Sequence, residues 1–432
     1  MPTPALESVE DLRQLGTPEE LRALATAGLK PERPLRVNSH VHLPPNFSAF
    51  DTVGDAVAAA AQEDVRVLGV SNYYDYSVYH RFTAEAGRRG IFPLFGLEII
   101  VLDEGLVSQG VRVNDPKNPG KMYLCGKGIT RFDRLSEEGR RILDLIRHKD
   151  STRMTEMVDR MEVFFANHEL DTGLNSAAVV DGVTRRHGSP RGTVYLQERH
   201  AAQAFQEWLF ANRQGPDRQE ALAVLLGPAA ASVSPDDSVA VQNALRDVLM
   251  KAGRPAYVAE TFVDYPQARR LILEMGGIPC YPTLADGASD RCEFEQPVEG
   301  LLDRMAERNL YCAEFIPTRN SPEVLRQYAG AMRSRGIVVT AGTEHNTLSR
   351  DPMEPTCVKG QPIPDDLKAL FWEGACVVAA HQVLTLQCEA GYVDSEGRLR
   401  PGYADAEARI AAFRALGEAI FSRYQQLFPP IG

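Results

Sequence analysis

The stretch Leu35-Arg-Val-Asn-Ser-His-Val-His42 decides how this chain is read. It follows a break at Pro31-Glu-Arg-Pro34, and Leu35–Ser39 reads as a strand. In extended backbone, residues two apart point the same way. His40 and His42 therefore aim at one point, as two metal ligands on one strand must. Imidazole nitrogen is a standard donor to zinc, iron and manganese. Two polar residues hydrogen-bonded at a strand end would show the same pattern, so the reading needs partners elsewhere.

Outward from this strand the chain alternates. Val53–Gln62 is Ala-rich and helical, Val65–Ser71 a strand, Tyr79–Arg89 a helix and Ile91–Val101 a strand. The alternation returns late, with strands expected at Gly277–Tyr281, Leu310–Ile316 and Ile337–Ala341. Helices at Tyr265–Met275, Val298–Arg308 and Pro322–Arg335 separate them. Strands regularly separated by helices indicate a parallel sheet or barrel. Before the first strand, Val9–Leu15 and Pro18–Ala27 read as short amphipathic helices, the second capped by Thr17.

The middle differs. Leu135–Arg147, Arg153–Asn167, Arg199–Asn212 and Val239–Lys251 read as helices among loops rich in Gly, Pro, Asn and Ser. The expected organisation is a helical extension over 1–34, barrel over 35–102, a mainly helical insertion or cap over 103–255, barrel over 256–348, and a mainly helical segment over 349–432. Insertions of this kind sit on the loop face of a barrel, where chemistry also sits.

Two further signals join the histidines. Glu98, in Gly96-Leu-Glu-Ile99, is the one charge inside the apolar run Ile91–Leu102. A carboxylate inside a strand buried on both faces is costly unless paired or metal-bound. Thr340-Ala-Gly-Thr-Glu-His-Asn346 follows another strand and puts Glu344 and His345 at its C-terminal end, where barrel enzymes place catalytic groups. Together the signals gather His, His, Glu and Glu at three strand ends.

The order of motifs resembles the PHP (polymerase and histidinol phosphatase) superfamily. The carriers are HVH at 40–42, VSNYYD at 70–75, GLEI at 96–99, GGIPCYP at 276–282, LYCAEFIP at 310–317 and VVTAGTEHN at 338–346. The resemblance covers 35–102 and roughly 261–348. It extends more weakly to 175–200, which ends in Gln197-Glu-Arg-His200, similar to a family segment ending Arg-Pro-His that walls the site from the cap. It implies an α/β fold, a distorted (β/α)7 barrel of PHP type with a large helical insertion. It also implies hydrolysis of phosphoesters by a cluster of up to three divalent metals. His40 and His42 match the opening motif, Glu98 matches the glutamate that bridges metals, and Glu344 takes the place of the closing Asp.

The departures cluster. Where the family has Thr-Asp-His, this chain has Ser71-Asn72-Tyr73; where the family has His-Pro, it has Tyr281-Pro282. The groups lost serve mainly the second and third metals. The set kept, His40, His42, Glu98 and Glu344, implies one divalent ion (Zn, Mn or Fe). Tyr73, Tyr281 and His345 are the candidate catalytic groups. Arg199, His200 and Arg319 are the candidates for binding an anionic substrate, since Arg suits bidentate oxyanion contacts. His80, His148, His168 and His187 read as surface residues, and His381 as a core histidine.

The expected function is a metal-dependent hydrolase of a small-molecule phosphoester. Two other classes stay open: a non-phosphatase metal enzyme (hydrolase, isomerase or lyase) on a carbonyl or sugar acid, and a degenerate PHP domain that only binds. Composition is that of an ordinary soluble globular protein: 432 residues, 44% hydrophobic and 24% charged. A net charge of −11, from 47 Lys+Arg against 58 Asp+Glu, argues against nucleic acid as a partner. The longest weak membrane candidate, Ala375–Leu386, is interrupted by His381 and Gln382, so no membrane partner is expected. Seven cysteines without a CxxC, and an N-terminus without a secretory pattern, suggest reduced thiols in a cytoplasm.

Overall fold

A computed structural model describes residues 6–349 and 351–429. Seven strands form one sheet in sequence order: β1 (Arg36–Val41), β2 (Val65–Asn72), β3 (Phe92–Leu102), β4 (Lys121–Lys127), β5 (Ile278–Thr283), β6 (Cys312–Phe315) and β7 (Val338–Ala341). All neighbours are parallel except β4, which runs antiparallel to both β3 and β5. The sheet closes on itself where β7 meets β1. His42 N–H donates to the Glu344 carbonyl (2.8 Å) and Glu344 N–H to the His40 carbonyl (2.8 Å). The result is a nearly closed α/β barrel, and closure removes the exposed strand edges.

The fourth strand lies inside 103–255, the segment read as a mainly helical insertion. Lys121-Met-Tyr-Leu-Cys-Gly-Lys127 carries a lysine at each end and a glycine, which blur its apolar pattern. Both lysines are buried, and each is answered by a carboxylate: Lys121 by Asp115 at 3.3 Å, Lys127 by Glu314. Burial of a lysine is tolerated only with such a partner.

Helices at Val53–Gln62, Val78–Arg88, Tyr265–Glu274, Val298–Glu307 and Pro322–Ser334 connect or flank the strands. The helix expected as two pieces over 135–167 is one, Glu137–Ala166. Its first half packs into the barrel core through Ile142, Leu143 and Ile146. Its second half enters a separate core through Met154, Met157, Val158, Met161 and Phe165. That second core is closed by Glu198–Asn212, Gly215–Leu226 and Ser238–Leu245. The helix thus joins the cap to the barrel.

The C-terminal segment belongs to the barrel layer. Asp365–Leu386 is long and apolar enough to cross a membrane, yet 83% of its most apolar window is buried inside the fold. It packs on β7, β1 and β3. Gln382 accepts from Phe95 N–H (2.8 Å) and donates to the Pro93 carbonyl (2.9 Å). His381 lies against Gly276 O (2.8 Å) and accepts from Tyr392 N–H (3.0 Å), a satisfied core histidine as expected. These partners lie early in β3 and just before β5. The helix therefore covers the end of the barrel away from the C-terminal strand ends.

Candidate metal centre

β1 delivers the two imidazoles side by side, as the period of two requires. His40 Nε2 and His42 Nε2 are 3.4 Å apart. Glu98 Oε2, brought in by β3, lies 3.3 Å from His42 Nε2 and 3.7 Å from His40 Nε2. All three side chains are buried. A tetrahedral ion with ligands at about 2.0–2.1 Å has ligand edges of about 3.4 Å. The three donors already stand at that spacing, so the residues present fit a divalent ion.

The second layer sets the ligand chemistry. His40 Nδ1 lies 2.6 Å from Glu314 Oε2. Burial raises the Glu314 carboxyl, but the Lys127 ammonium and His40 outweigh it and hold it at about 2. An ionised carboxylate only accepts, so Nδ1 carries the proton and Nε2 keeps its lone pair toward His42 and Glu98. This is the carboxylate–histidine arrangement that fixes tautomer and ring in metal sites. Lys127 Nζ adds hydrogen bonds to the Ser39 carbonyl (3.2 Å) and Ser71 Oγ (3.3 Å). A second grouping, His40, Cys125 and Glu314, is a poorer ligand set. Burial pushes the Cys125 thiol well up, so it stays protonated, and Lys127 already holds Glu314.

Glu344 stands apart from the triangle. Arg319 grips its carboxylate with both terminal nitrogens, one at 2.9 Å, and Asn346 Nδ2 donates to it at 2.6 Å. Burial raises Glu344, but Arg319, His40 and His42 together hold it below the usual range. The structure thus offers three converging donors and a nearby carboxylate engaged by arginine. Three protein ligands with an open position are the pattern of catalytic rather than structural zinc.

Tyr73 and Glu98 share a cavity of about 430 Å³ with Arg199, Arg319 and Glu344, a size suited to a small molecule. The Tyr73 ring stacks parallel to His42 at 5.4 Å. Its hydroxyl makes no hydrogen bond among the described residues. Burial, then the charge of Glu98, pushes that phenol well above its ordinary value, so it is a donor at neutral pH.

Three sequence candidates fall elsewhere. Tyr281 alternates with Cys280 and Pro282, whose strand partners Cys312 and Glu314 flank Ala313. Glu314 faces the barrel interior, so Tyr281 faces out, and its hydroxyl donates to Glu295 Oε1 (3.0 Å). His345 follows Glu344 in the left-handed region (φ 49° and 61°). That turn swings the imidazole under Phe50 (5.1 Å), with Thr343 Oγ1 at 2.6 Å and the Asp351 carbonyl at 2.9 Å. Both ring nitrogens are occupied. His200 is buried against Phe47 and accepts from Gln197 N–H (3.0 Å). Burial holds it down at about 3, so it is neutral and brings no charge to an anion. The altered second motif is also accounted for. Asn72 clips the chain after β1, accepting from Leu43 N–H (2.8 Å) and donating to the Leu43 carbonyl (2.9 Å).

Asp150 also lines the cavity, buried in the helix Glu137–Ala166. Burial pushes its carboxyl up to about 7, against the pull of Arg153. Its folded value lies above its unfolded one, so its stabilising effect is complete below about pH 4 and is lost as pH rises through about 7. Asp150→Asn should therefore flatten the fall in stability over that window. Thermal melts of both proteins from pH 4 to 8 check this, and parallel curves would refute it.

No protein-family model matches the chain, and no curated protein matches it significantly. Among solved structures it is similar to a "putative metal-dependent phosphoesterase" from Bifidobacterium adolescentis, at 16% identity and TM-score 0.49, covering 79% of this chain and 96% of that one. It is also similar to an amidohydrolase from Chromobacterium violaceum with bound sulfate and no metal, at 17% identity and TM-score 0.49, covering 78% and 96%.

Proposed function

We propose that the chain is a divergent PHP-type hydrolase of a small phosphoester, working with one divalent ion held by His40, His42 and Glu98. The observation that carries this reading is the triangle of donors at ligand spacing, 3.3–3.7 Å on a side, beside a small-molecule cavity. Bound there, zinc, manganese or iron supplies Lewis acidity toward a phosphoryl oxygen and a source of hydroxide near neutral pH. The chain's own groups do the rest. Tyr73 donates a hydrogen bond to an oxygen that gains charge. Arg319 uses two of its five N–H donors on Glu344 and keeps others for a substrate oxyanion. Glu314 holds His40 in the ligating tautomer.

Three observations support a single ion. Asn72 is consumed by the backbone of Leu43. Tyr281 points away from the barrel interior. Lys127 puts a buried ammonium against Glu314, where its charge disfavours a second cation. Tyr73, with its unengaged hydroxyl on the His42 ring, also suits proton donation to a carbonyl, which keeps a sugar-acid substrate as the second reading.

Elemental analysis of the full-length protein should give one equivalent of metal per chain, and none for His40→Ala/His42→Ala. A panel of phosphoesters and sugar acids then separates the two substrate classes. Two or three equivalents would restore the multi-metal mechanism; none after reconstitution would sink the enzyme reading.

A further inference from the structure

The far wall of the cavity, contributed by the cap, has no part in the metal chemistry. It carries several polar groups whose needs the protein leaves unmet. Arg199 places its guanidinium over Phe47 at 6.0 Å, and its one side-chain hydrogen bond among the described residues goes to Asn243 Oδ1, at 3.4 Å. It makes no ion pair among the described residues. Burial, then the neighbouring charge of Arg246, lowers it to about 10. Arg246 opens the π-helical turn Arg246–Met250, a distortion frequent at functional sites. Its Nε is buried with no hydrogen-bond partner among the described residues. Its nearest carboxylate, Glu198 at 3.6 Å, is already shared with Arg153 (3.1 Å) and Lys251.

Tyr74, on the same cavity, adds a second kind of unmet group. Only 2% of it is exposed, its hydroxyl has no partner among the described residues, and its backbone is held at φ 58°. Buried polar atoms without partners cost stability and call for an explanation. Strained backbone of this kind clusters at ligand sites. Arg199 has no carboxylate partner among the described residues and Arg246 shares Glu198 with two other cations, so a bound anion would give both a partner.

We propose that Arg199 and Arg246 form an oxyanion subsite on the cap wall, and that the substrate carries a phosphate or carboxylate remote from the bond that is cleaved. This rests on the metal-hydrolase reading of the same cavity. The forked donors of the two guanidinium groups match either oxyanion.

Inorganic phosphate and acetate, titrated separately into metal-free full-length protein, test the subsite by calorimetry and by shift in melting temperature. Phosphate should bind and stabilise wild type. Arg199→Met/Arg246→Met should weaken binding at least about tenfold, and without anion should melt no lower than wild type. His40→Ala/His42→Ala should bind phosphate as wild type does. Acetate binding with the same dependence on the arginines would assign a carboxylate group instead. If the Met pair does not fold, Arg199→Lys/Arg246→Lys is read in its place, with weaker binding expected. Unchanged binding in the arginine variants, loss of binding only in the histidine variant, or no binding by wild type would overturn the subsite. Failure of the metal reading shows separately, as wild type that binds phosphate through the arginines but holds no metal.

Discussion

Lys127→Met should destabilise the metal-free protein by about 3–5 kcal/mol, the usual cost of stripping one partner from a buried ion pair. Lys127 is 3% exposed and Glu314 is fully buried. Lys127 is the main force holding the Glu314 carboxyl at about 2 against burial. Without it the carboxylate keeps His40 Nδ1 at 2.6 Å and the Thr340 hydroxyl at 3.5 Å. Desolvation then favours the neutral acid, which would donate to His40 and reverse the tautomer that points Nε2 at the metal position. Lys127→Met/Glu314→Leu removes the buried charge with its partner, so it should cost less than the two single changes together. A urea-denaturation cycle measures this, and additive effects would refute the coupling. The pH dependence has a definite sign. Glu314 is depressed in the folded state, so its contribution is present above about pH 4.5 and is lost as pH falls toward about 2.

Gly342→Ala should lower stability by about 1–3 kcal/mol and metal affinity by about 10–100-fold, the range seen when groups supporting metal ligands are disturbed. A Cβ at Gly342 would lie 2.3 Å from His40 Cβ, 2.7 Å from its N and 2.8 Å from its Cα. These atoms belong to the β1 backbone or its first side-chain carbon, so no rotamer change relieves the clash. The seam between β7 and β1 must open, and His40 moves with it. Metal titration and thermal melts check both halves. Gly330→Ala is the control: it is exposed on Pro322–Ser334 with nothing within 4 Å of an added Cβ, so it should be neutral or slightly stabilising. Equal effects from the two substitutions would refute the seam argument.

Much of the architecture and part of the site are legible without coordinates. Six strands follow from apolar runs between helical patterns. His40 and His42 follow from the period of two, and Glu98 from the cost of a lone carboxylate in an apolar run. The same signal lay in Leu310-Tyr-Cys-Ala-Glu-Phe-Ile316. Glu314 is as isolated there as Glu98 is in its own strand, and that reasoning applied equally would have found it. Lys127 could not be found so. Its burial is tolerable only because Glu314, far along the chain, answers it, and that pairing exists only once β4 and β6 share a barrel interior. β4 was hidden for the same reason, since its lysines look like solvent-facing residues until their carboxylates are in place.

Local pattern determines which residues are extended, which are helical and which charges are anomalous. It rests on chain geometry and desolvation, which act over a few residues. Tertiary structure alone decided which face each anomaly presents and whom it meets. Strand register turned Tyr281 outward, two left-handed residues turned His345 under Phe50, and the cap's packing buried His200 as a neutral ring. Pairing of β1 and β3 on the two sides of β2 brought Glu98 within 3.3 Å of His42, and Glu344 was left to Arg319. Coulombic and steric terms of this kind depend on separation in space, which local sequence pattern leaves undetermined.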